Sequence, residues 1–383
     1  MSNKHLTVGY YEALGHHTFL CDVVEWLLKK EVNLVLFLSS GVYKKCLEII
    51  PDLDIRATIY TYNYRFLKCW FNVKVSFLSK KCDTLMINSL TGSRDDFLSY
   101  LFLRPRCRLF LIDALYGDPY VNNVHKIRYG FFLRPFFRII SKRFYESASL
   151  IIFHSRKVLQ ALQCVFPQKK MLFFPYSTHK PQFVILESKC LFNDRYVFTI
   201  AGMVHAYRRD YMFFLDSVDR FCKENPSLVD QVKFVILGSS TYQRRYYESV
   251  LERSNQINFQ YGDVIQYYDD YVCNEEYQTI CSVTDVFINP INLSFYTVDI
   301  ICTGIGEAVK YAKPSLFPNG YDVLSELETS VDYFQSCNDL VKLLKKYVVD
   351  EHYRNMLQNN ALKNSKKLSI NNYMDPVYEL LFD

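Results

Sequence analysis

Glycine and proline are scarce in this chain, twelve of each in 383 residues, and no short-period repeat or low-complexity stretch runs through it. The twelve cysteines never form a CxxC. The closest pair, Cys273 and Cys281, is eight positions apart, and the eight histidines form no HExxH. No zinc spacing is present, so a metal site is not expected, and the pattern reads as reduced thiols of the cytoplasm. No run approaches the roughly 18 uncharged apolar residues a membrane-spanning helix needs. The opening "MSNKHLTVGYY" carries too short an apolar run for an export signal. A net charge of +5 is too mild to mark the whole chain as a nucleic-acid binder. A GxGxxG dinucleotide fingerprint is also missing.

What is present is an alternation of short apolar runs with helix-length amphipathic segments. Half the residues are hydrophobic and 22% are charged, the balance of a folded soluble chain. The runs at 6–11, 33–39, 58–62, 84–89, 108–113, 149–155 and 170–176 read as strands. So do those at 196–202, 232–239, 257–262, 285–291 and 314–318. Continuous Leu, Ile and Val is what a parallel sheet buried on both faces requires. Between the strands lie helices such as 18–30, where Phe19, Leu20, Val23, Val24 and Leu27 fall at helical steps. The length predicts two α/β domains. They are placed at 1–177 and 196–365, with a proline-containing linker at 178–195 and a helix at 366–383 returning to the first domain. Open α/β sheets bind ligands beyond the carboxyl ends of their strands, so chemistry is sought in those loops.

The most informative loop is "DIICTGIGEAVKYAKPSLFPN", residues 299–319. Gly304 and Gly306 permit close backbone approach. Glu307 lies at the mouth of a helix that Lys313-Pro314 ends. A carboxylate at such a junction can accept two sugar or ribose hydroxyls, while free N–H groups at the helix start receive phosphate or sugar oxygens. The alternative is a βα turn whose acids decorate a helix start.

In order and spacing this stretch resembles the donor-site signature of family 4 retaining glycosyltransferases, which have the GT-B fold of two Rossmann-like domains facing across a cleft. Asp299 stands where the family has a first Glu, and Ala312-Lys313-Pro314 stands for its Gly-x-Pro. Upstream, "TIAGMVHAYRRDYMFF", "FVILGSSTYQRRYYESVLERSNQINFQYGDV" and "YQTICSVTDVFINPI" are similar to successive segments of the family's nucleotide domain. The match covers about 190–370, and the first half only loosely. The resemblance implies that Asp299, with the amides of Ile300, Ile301, Cys302 and Thr303, holds the donor sugar. Glu307 would bind ribose, and Arg208 and Arg209 after Gly202 would grip the diphosphate. Gly262, Asp263 and Val264 would contact the base. Met203 occupies a position where the family often has Arg. Retention of configuration and metal-independent catalysis without cofactor are also implied.

In the first half, Gly15 lies at a first βα turn whose helix start can face the diphosphate, with His16 and His17 beside it as substrate contacts or plain turn histidines. Where many family members carry a histidine, "RLFLIDALYGDPY" offers Asp113. Between Asp118 and Glu146 the chain has no acid and six cations: Lys126, Arg128, Arg134, Arg138, Lys142 and Arg143. Arg134, Arg138 and Lys142 step along one helical face, and Phe136, Ile140 and Phe144 along another. Such a segment suits an anionic membrane surface. A packed amphipathic helix and a nucleic-acid patch are the alternatives. The sequence thus predicts a nucleotide-sugar glycosyltransferase with a saccharide or lipid-linked acceptor. It would sit at the inner face of the cell membrane through 126–144 and would not bind nucleic acid. A GT-B epimerase and a non-catalytic scaffold are the rivals.

Overall fold

The computed structural model describes residues 6–12, 17–63, 68–88, 100–113, 130–154, 156–175, 191–238, 243–268, 272–294, 303–321 and 323–382. They fall into two compact units. Unit 1 is Met1–Tyr176 with Ile370–Asp383, and unit 2 is Ser177–Ser369.

Unit 1 holds a seven-stranded sheet: β1 (Thr7–Glu12), β2 (Asn33–Ser39), β3 (Thr58–Tyr62), β4 (Thr84–Asn88), β5 (Arg108–Asp113), β6 (Leu150–Phe153) and β7 (Met171–Phe173). Every pairing is parallel, in the order β3-β2-β1-β4-β5-β6-β7. Because side chains alternate along a strand, each apolar run supplies two cores at once. Tyr10, Leu36, Met86 and Ile112 point into one, and Tyr11, Phe37, Ile87 and Leu111 into the other.

The helices of this unit are α1 (His17–Lys29), α2 (Ser40–Ile49), α3 (Leu53–Arg56), α4 (Lys68–Leu78), α5 (Gly130–Ser147) and α6 (Arg156–Val165). On α5, Ile140 and Phe144 are buried while Lys142 is exposed and 3.6 Å from Glu146. Arg143 is drawn inward, donating to the carbonyls of Tyr100 (2.5 Å), Leu103 (3.2 Å) and Leu101 (3.3 Å). Of the other cations in this segment, Lys126 and Arg128 lie outside the described residues, and Arg134 and Arg138 lie on α5.

Unit 2 holds β8 (Tyr196–Ala201), β9 (Val232–Leu237), β10 (Ile265–Tyr267), β11 (Val286–Ile288), β12 (Ser315–Pro318) and β13 (Val331–Phe334). Their order is β10-β9-β8-β11-β12-β13, again all parallel. Its helices are α7 (Tyr211–Glu224), α8 (Arg244–Tyr261), α9 (Asn274–Val283), α10 (Thr303–Lys310), α11 (Cys337–Val349) and α12 (Glu351–Lys367). The order reverses between β8 and β11, the switch point where doubly wound sheets open a ligand crevice.

One strand assignment is corrected. Residues 257–262 end α8, whose buried face is Tyr247, Val250, Ser254 and Ile257. The strand follows at β10, so Gly262, Asp263 and Val264 precede it at the amino-terminal edge. There Gly262 caps α8 with φ 88, and the buried Lys233 reaches Asp263 at 2.6 Å. The reading of these three as base contacts fails, because the loop leaves the sheet at the wrong end.

A last helix, α13 (Ile370–Phe382), returns to unit 1, burying Ile370, Met374, Val377 and Leu381. Arg108, at the start of β5, donates to the carbonyls of Leu380 and Leu381, and Lys30 pairs with Asp375 at 2.9 Å.

The ten described cysteines are all free thiols. Burial, then the Asp83 charge, pushes Cys82 up to about 11, and burial, then Asp219, pushes Cys222 up to about 12. In the unfolded chain a thiol ionises near ~8.5. Below that pH both states keep the proton. Above it the unfolded state loses protons that the folded state retains, so stability falls with rising pH. The slope is about 1.4 kcal/mol per pH unit for each such thiol, up to its folded value. Melting scans from pH 7 to 10.5 are expected to be flat to about pH 8 and then decline. In a Cys82→Ala, Cys222→Ala variant the decline should be shallower.

Candidate functional site

The carboxyl ends of β8, β9 and β11 are held together by backbone approaches that side chains would block. Gly202 follows β8 with φ 109, and its N–H donates to Leu237 O at 2.9 Å. Gly238 follows β9, and a Cβ there would collide with the carbonyl oxygen of Gly202. Gly304, in the first turn of α10, lies against Asn289 just past β11, where a Cβ would collide with the Asn289 amide. Thus the start of α10 is seated on the end of β11 by two small surfaces. From its other side α12 holds α10, through Ser365 Oγ to Val309 O at 2.5 Å and Gln358 Nε2 to Ala312 O at 2.6 Å.

The loop from Gly202 to Asp210 runs beside the segment after β11. Arg209 pairs with Ile291 in an antiparallel bridge, Asp210 N–H donates to Pro290 O (2.7 Å) and Asn292 N–H to Arg208 O (3.0 Å). Asp210 then caps α7 by accepting from Phe213 N–H at 2.9 Å. The two arginines are not equivalent. Arg209 is only 3% exposed: its guanidinium lies under Gly202, and Nη1 donates to Met203 O at 3.3 Å. Arg208 is half-buried near His205, whose imidazole is held below its ordinary value by burial first and the Arg208 cation second.

Glu307 lies one turn into α10, half-buried, with Oε2 inaccessible and accepting no hydrogen bond from the described residues. Its neighbours are Tyr277 and Cys281 of α9 and Tyr311. Burial, and then the Glu307 carboxylate, hold Tyr277 and Cys281 well above their ordinary values. For Tyr311 burial again leads, followed by Cys281 and Glu307. All three therefore remain neutral beside the carboxylate, and the Lys310 and Lys313 cations also act on Cys281.

Ala312 adopts φ 52, a left-handed conformation, at the position where the resembling family has glycine. An L side chain there costs roughly 1 kcal/mol or more. Ala312→Gly is therefore expected to leave stability unchanged or raise it by up to ~1 kcal/mol. Thermal melts of the two proteins check this.

Structure thus brings together Gly202, Arg208, Arg209 and Glu307 at one edge of one sheet, with Thr303 opening α10. It separates Gly262, Asp263 and Val264 from them. Asp299, Ile300, Ile301, Cys302, Gly15 and His16 lie outside the described residues, and Asp113 closes β5 in unit 1. Sequence reading missed Asn289 and Gly238, whose roles appear only once strand ends meet. It also missed the strand-end polar groups of unit 1. Asn88, ending β4, donates to the buried Glu12 that ends β1, and His154 Nδ1 lies 2.6 Å from Phe174 O. Among the described residues no group of three or more His, Cys, Asp or Glu could hold a metal ion. No helix among them is long and apolar enough to cross a membrane.

No protein-family model matches the chain, and no curated protein matches it in sequence. Solved structures do share its fold over nearly their whole length. A UDP-forming α,α-trehalose-phosphate synthase from Burkholderia xenovorans is 11% identical, with TM-score 0.68 and 99% of each chain covered. The N-terminal domain of Candida albicans trehalose-6-phosphate phosphatase is 10% identical, with TM-score 0.68 and 99% of each chain covered. HepE of Anabaena, in complex with UDP-glucose, is 12% identical with TM-score 0.66, covering 98% of this chain and 99% of that one. At these identities the likeness is one of fold: the α/β, GT-B architecture.

Proposed function

We propose that the chain is a glycosyltransferase that moves a sugar from a nucleotide-sugar to a saccharide or lipid-linked acceptor, in the making of a cell-surface polysaccharide or glycolipid. The observation that carries this is the half-buried Glu307 carboxylate at the switch-point edge of the sheet that also carries Arg208. A carboxylate fixed there by its helix can accept ribose hydroxyls at its accessible side. The fold relatives include proteins described as UDP-forming and as bound to UDP-glucose, which supports the nucleotide-sugar. The motif order resembles that of family 4, and from that resemblance come retention, metal independence and the role of Asp299 in holding the donor sugar.

In this reading Arg208 neutralises the leaving diphosphate as the glycosidic bond breaks, while the buried Arg209 shapes the loop that presents it. The departing phosphate receives the acceptor proton. Work at the inner face of the membrane, through 126–144, belongs to the same proposal.

Release of free nucleoside diphosphate from a panel of sugar donors, with and without lipid extract, tests it. Turnover of one donor, unaffected by EDTA, is the expected result. Epimer formation without release would favour an epimerase, and no turnover of any donor a scaffold. Arg208→Ala should weaken nucleoside diphosphate binding at an unchanged melting temperature, whereas Arg209→Ala should lower both. Calorimetric titration alongside melting separates the two.

A further inference from the structure

Unit 1 carries a surface that nothing in the donor site uses. Helix α4 buries Phe71, Asn72, Val75 and Ser76, yet Trp70 is 74% and Phe77 57% exposed two turns apart on the opposite side. The short turn Tyr100–Phe102 is tied to that helix. Ser76 Oγ donates to Phe102 O (3.2 Å), Arg104 N–H to Ser76 Oγ (2.7 Å) and Arg106 N–H to Ser79 Oγ (3.0 Å). On that turn Leu101 and Phe102 are 41% and 49% exposed.

Cations surround these apolar groups. The Arg106 guanidinium lies 5.1 Å and Lys80 Nζ 6.0 Å from the Phe77 ring, and Lys74 and Arg104 are exposed nearby. In sequence these two segments carry no acid: residues 55–82 contain no Asp or Glu, and neither do residues 97–112. A soluble surface that bore several large apolar side chains for no reason would normally mix both charge signs around them.

We propose that this face of unit 1 docks on an anionic lipid bilayer. Trp70, Phe77, Leu101 and Phe102 enter the headgroup boundary, and Lys74, Lys80, Arg104 and Arg106 meet lipid phosphates around them. Tryptophan prefers the wet edge of a bilayer, and long basic side chains bury their stems while keeping their charge at the headgroups. The one-signed charge favours an anionic sheet over a protein partner, whose surface would have to match the cations point by point. This inference shares its partner with the membrane reading above but takes different residues. Donor turnover in vesicle-free solution tests the catalytic reading separately.

The chain supplies its own probe. It has two tryptophans, and Trp26 is 3% exposed. Adding phosphatidylcholine vesicles that contain phosphatidylglycerol should shift the tryptophan emission to the blue, and vesicles of phosphatidylcholine alone should not. Trp70→Phe should still sediment with the anionic vesicles while losing the shift. Changing Lys74, Lys80 and Arg106 to Glu should weaken sedimentation by roughly a hundredfold or more, about fivefold for each cation lost. Should that variant misfold, the wild-type emission result stands alone. Sedimentation of wild type without any Trp70 shift would put the bilayer against another face and would overturn the proposal. So would a failure to bind anionic vesicles at all. A blue shift that grows with protein concentration without lipid would mean the patch seats a second copy, and would overturn it too.

Discussion

Replacing Glu307 with Ala is expected to lower transfer by ~2–4 kcal/mol of transition-state stabilisation, roughly 30- to 1,000-fold in rate. The carboxylate is fixed by the helix that carries it and by the neutral wall of Tyr277, Cys281 and Tyr311, so a bound ribose would meet a preorganised acceptor. Removing it also removes the charge from a half-buried site. The fold should survive: Oε2 accepts nothing from the described residues, and the Tyr277 hydroxyl bond to the carboxylate is a single contact. Glu307→Gln is the sharper test: it keeps the shape but replaces one acceptor oxygen with a donor, and should lose nearly as much. Asp299→Ala should fall in the same range. Initial rates of nucleoside diphosphate release, with melts as controls, read these effects. Activity of Glu307→Ala within twofold of wild type would refute the site assignment.

The second large effect is on stability. Gly238→Ala would drive a methyl group into the carbonyl of Gly202, a backbone atom that cannot rotate aside. Overpacking of this kind costs roughly 1–3 kcal/mol where side chains can shift. Here β8 and β9 themselves must separate, so about 3 kcal/mol or more is expected. For a unit of this size that lowers the melting temperature by roughly 6–12 °C. Gly202→Ala should cost a similar amount by a different route, since φ 109 is open to glycine alone and the new methyl would press on the Arg209 guanidinium. Calorimetry resolving the unfolding of unit 2 measures both. A shift under 2 °C for Gly238→Ala would mean that the strand ends are not so closely joined.

Most strands could be read from the sequence because burial on both faces leaves a continuous apolar run, as at "NLVLFLS" and "VKFVIL". The exception is instructive. Ile257, Phe259 and Tyr261 alternate like a strand, yet Phe259 is 95% exposed and the run closes an 18-residue helix. The true strand, Ile265–Tyr267, has three residues, too few to show a period. Val331–Phe334 went unread because its second residue is the acid Asp332, which binds the Tyr353 hydroxyl at 2.6 Å and the Tyr347 hydroxyl at 2.9 Å. At the site, Glu307, Gly304 and Gly202 were legible because turn chemistry and motif order are local. The burial of Arg209 and the contact of Asn289 with Gly304 depend on loops brought together by the sheet, and no local pattern encodes that.

The placement of α13 has a consequence for how the chain is made. Unit 1 is assembled from two stretches separated by the whole of residues 177–369, which form unit 2. While the ribosome is still making that insert, the groove that will take Ile370, Met374, Val377 and Leu381 remains uncovered. Unit 2 can therefore complete its fold first, and in doing so it shortens the effective loop that the late segment must close. The earlier of the two stretches is thus finished only when the later one arrives, and until then its open apolar groove is the part of the nascent protein that a chaperone would find.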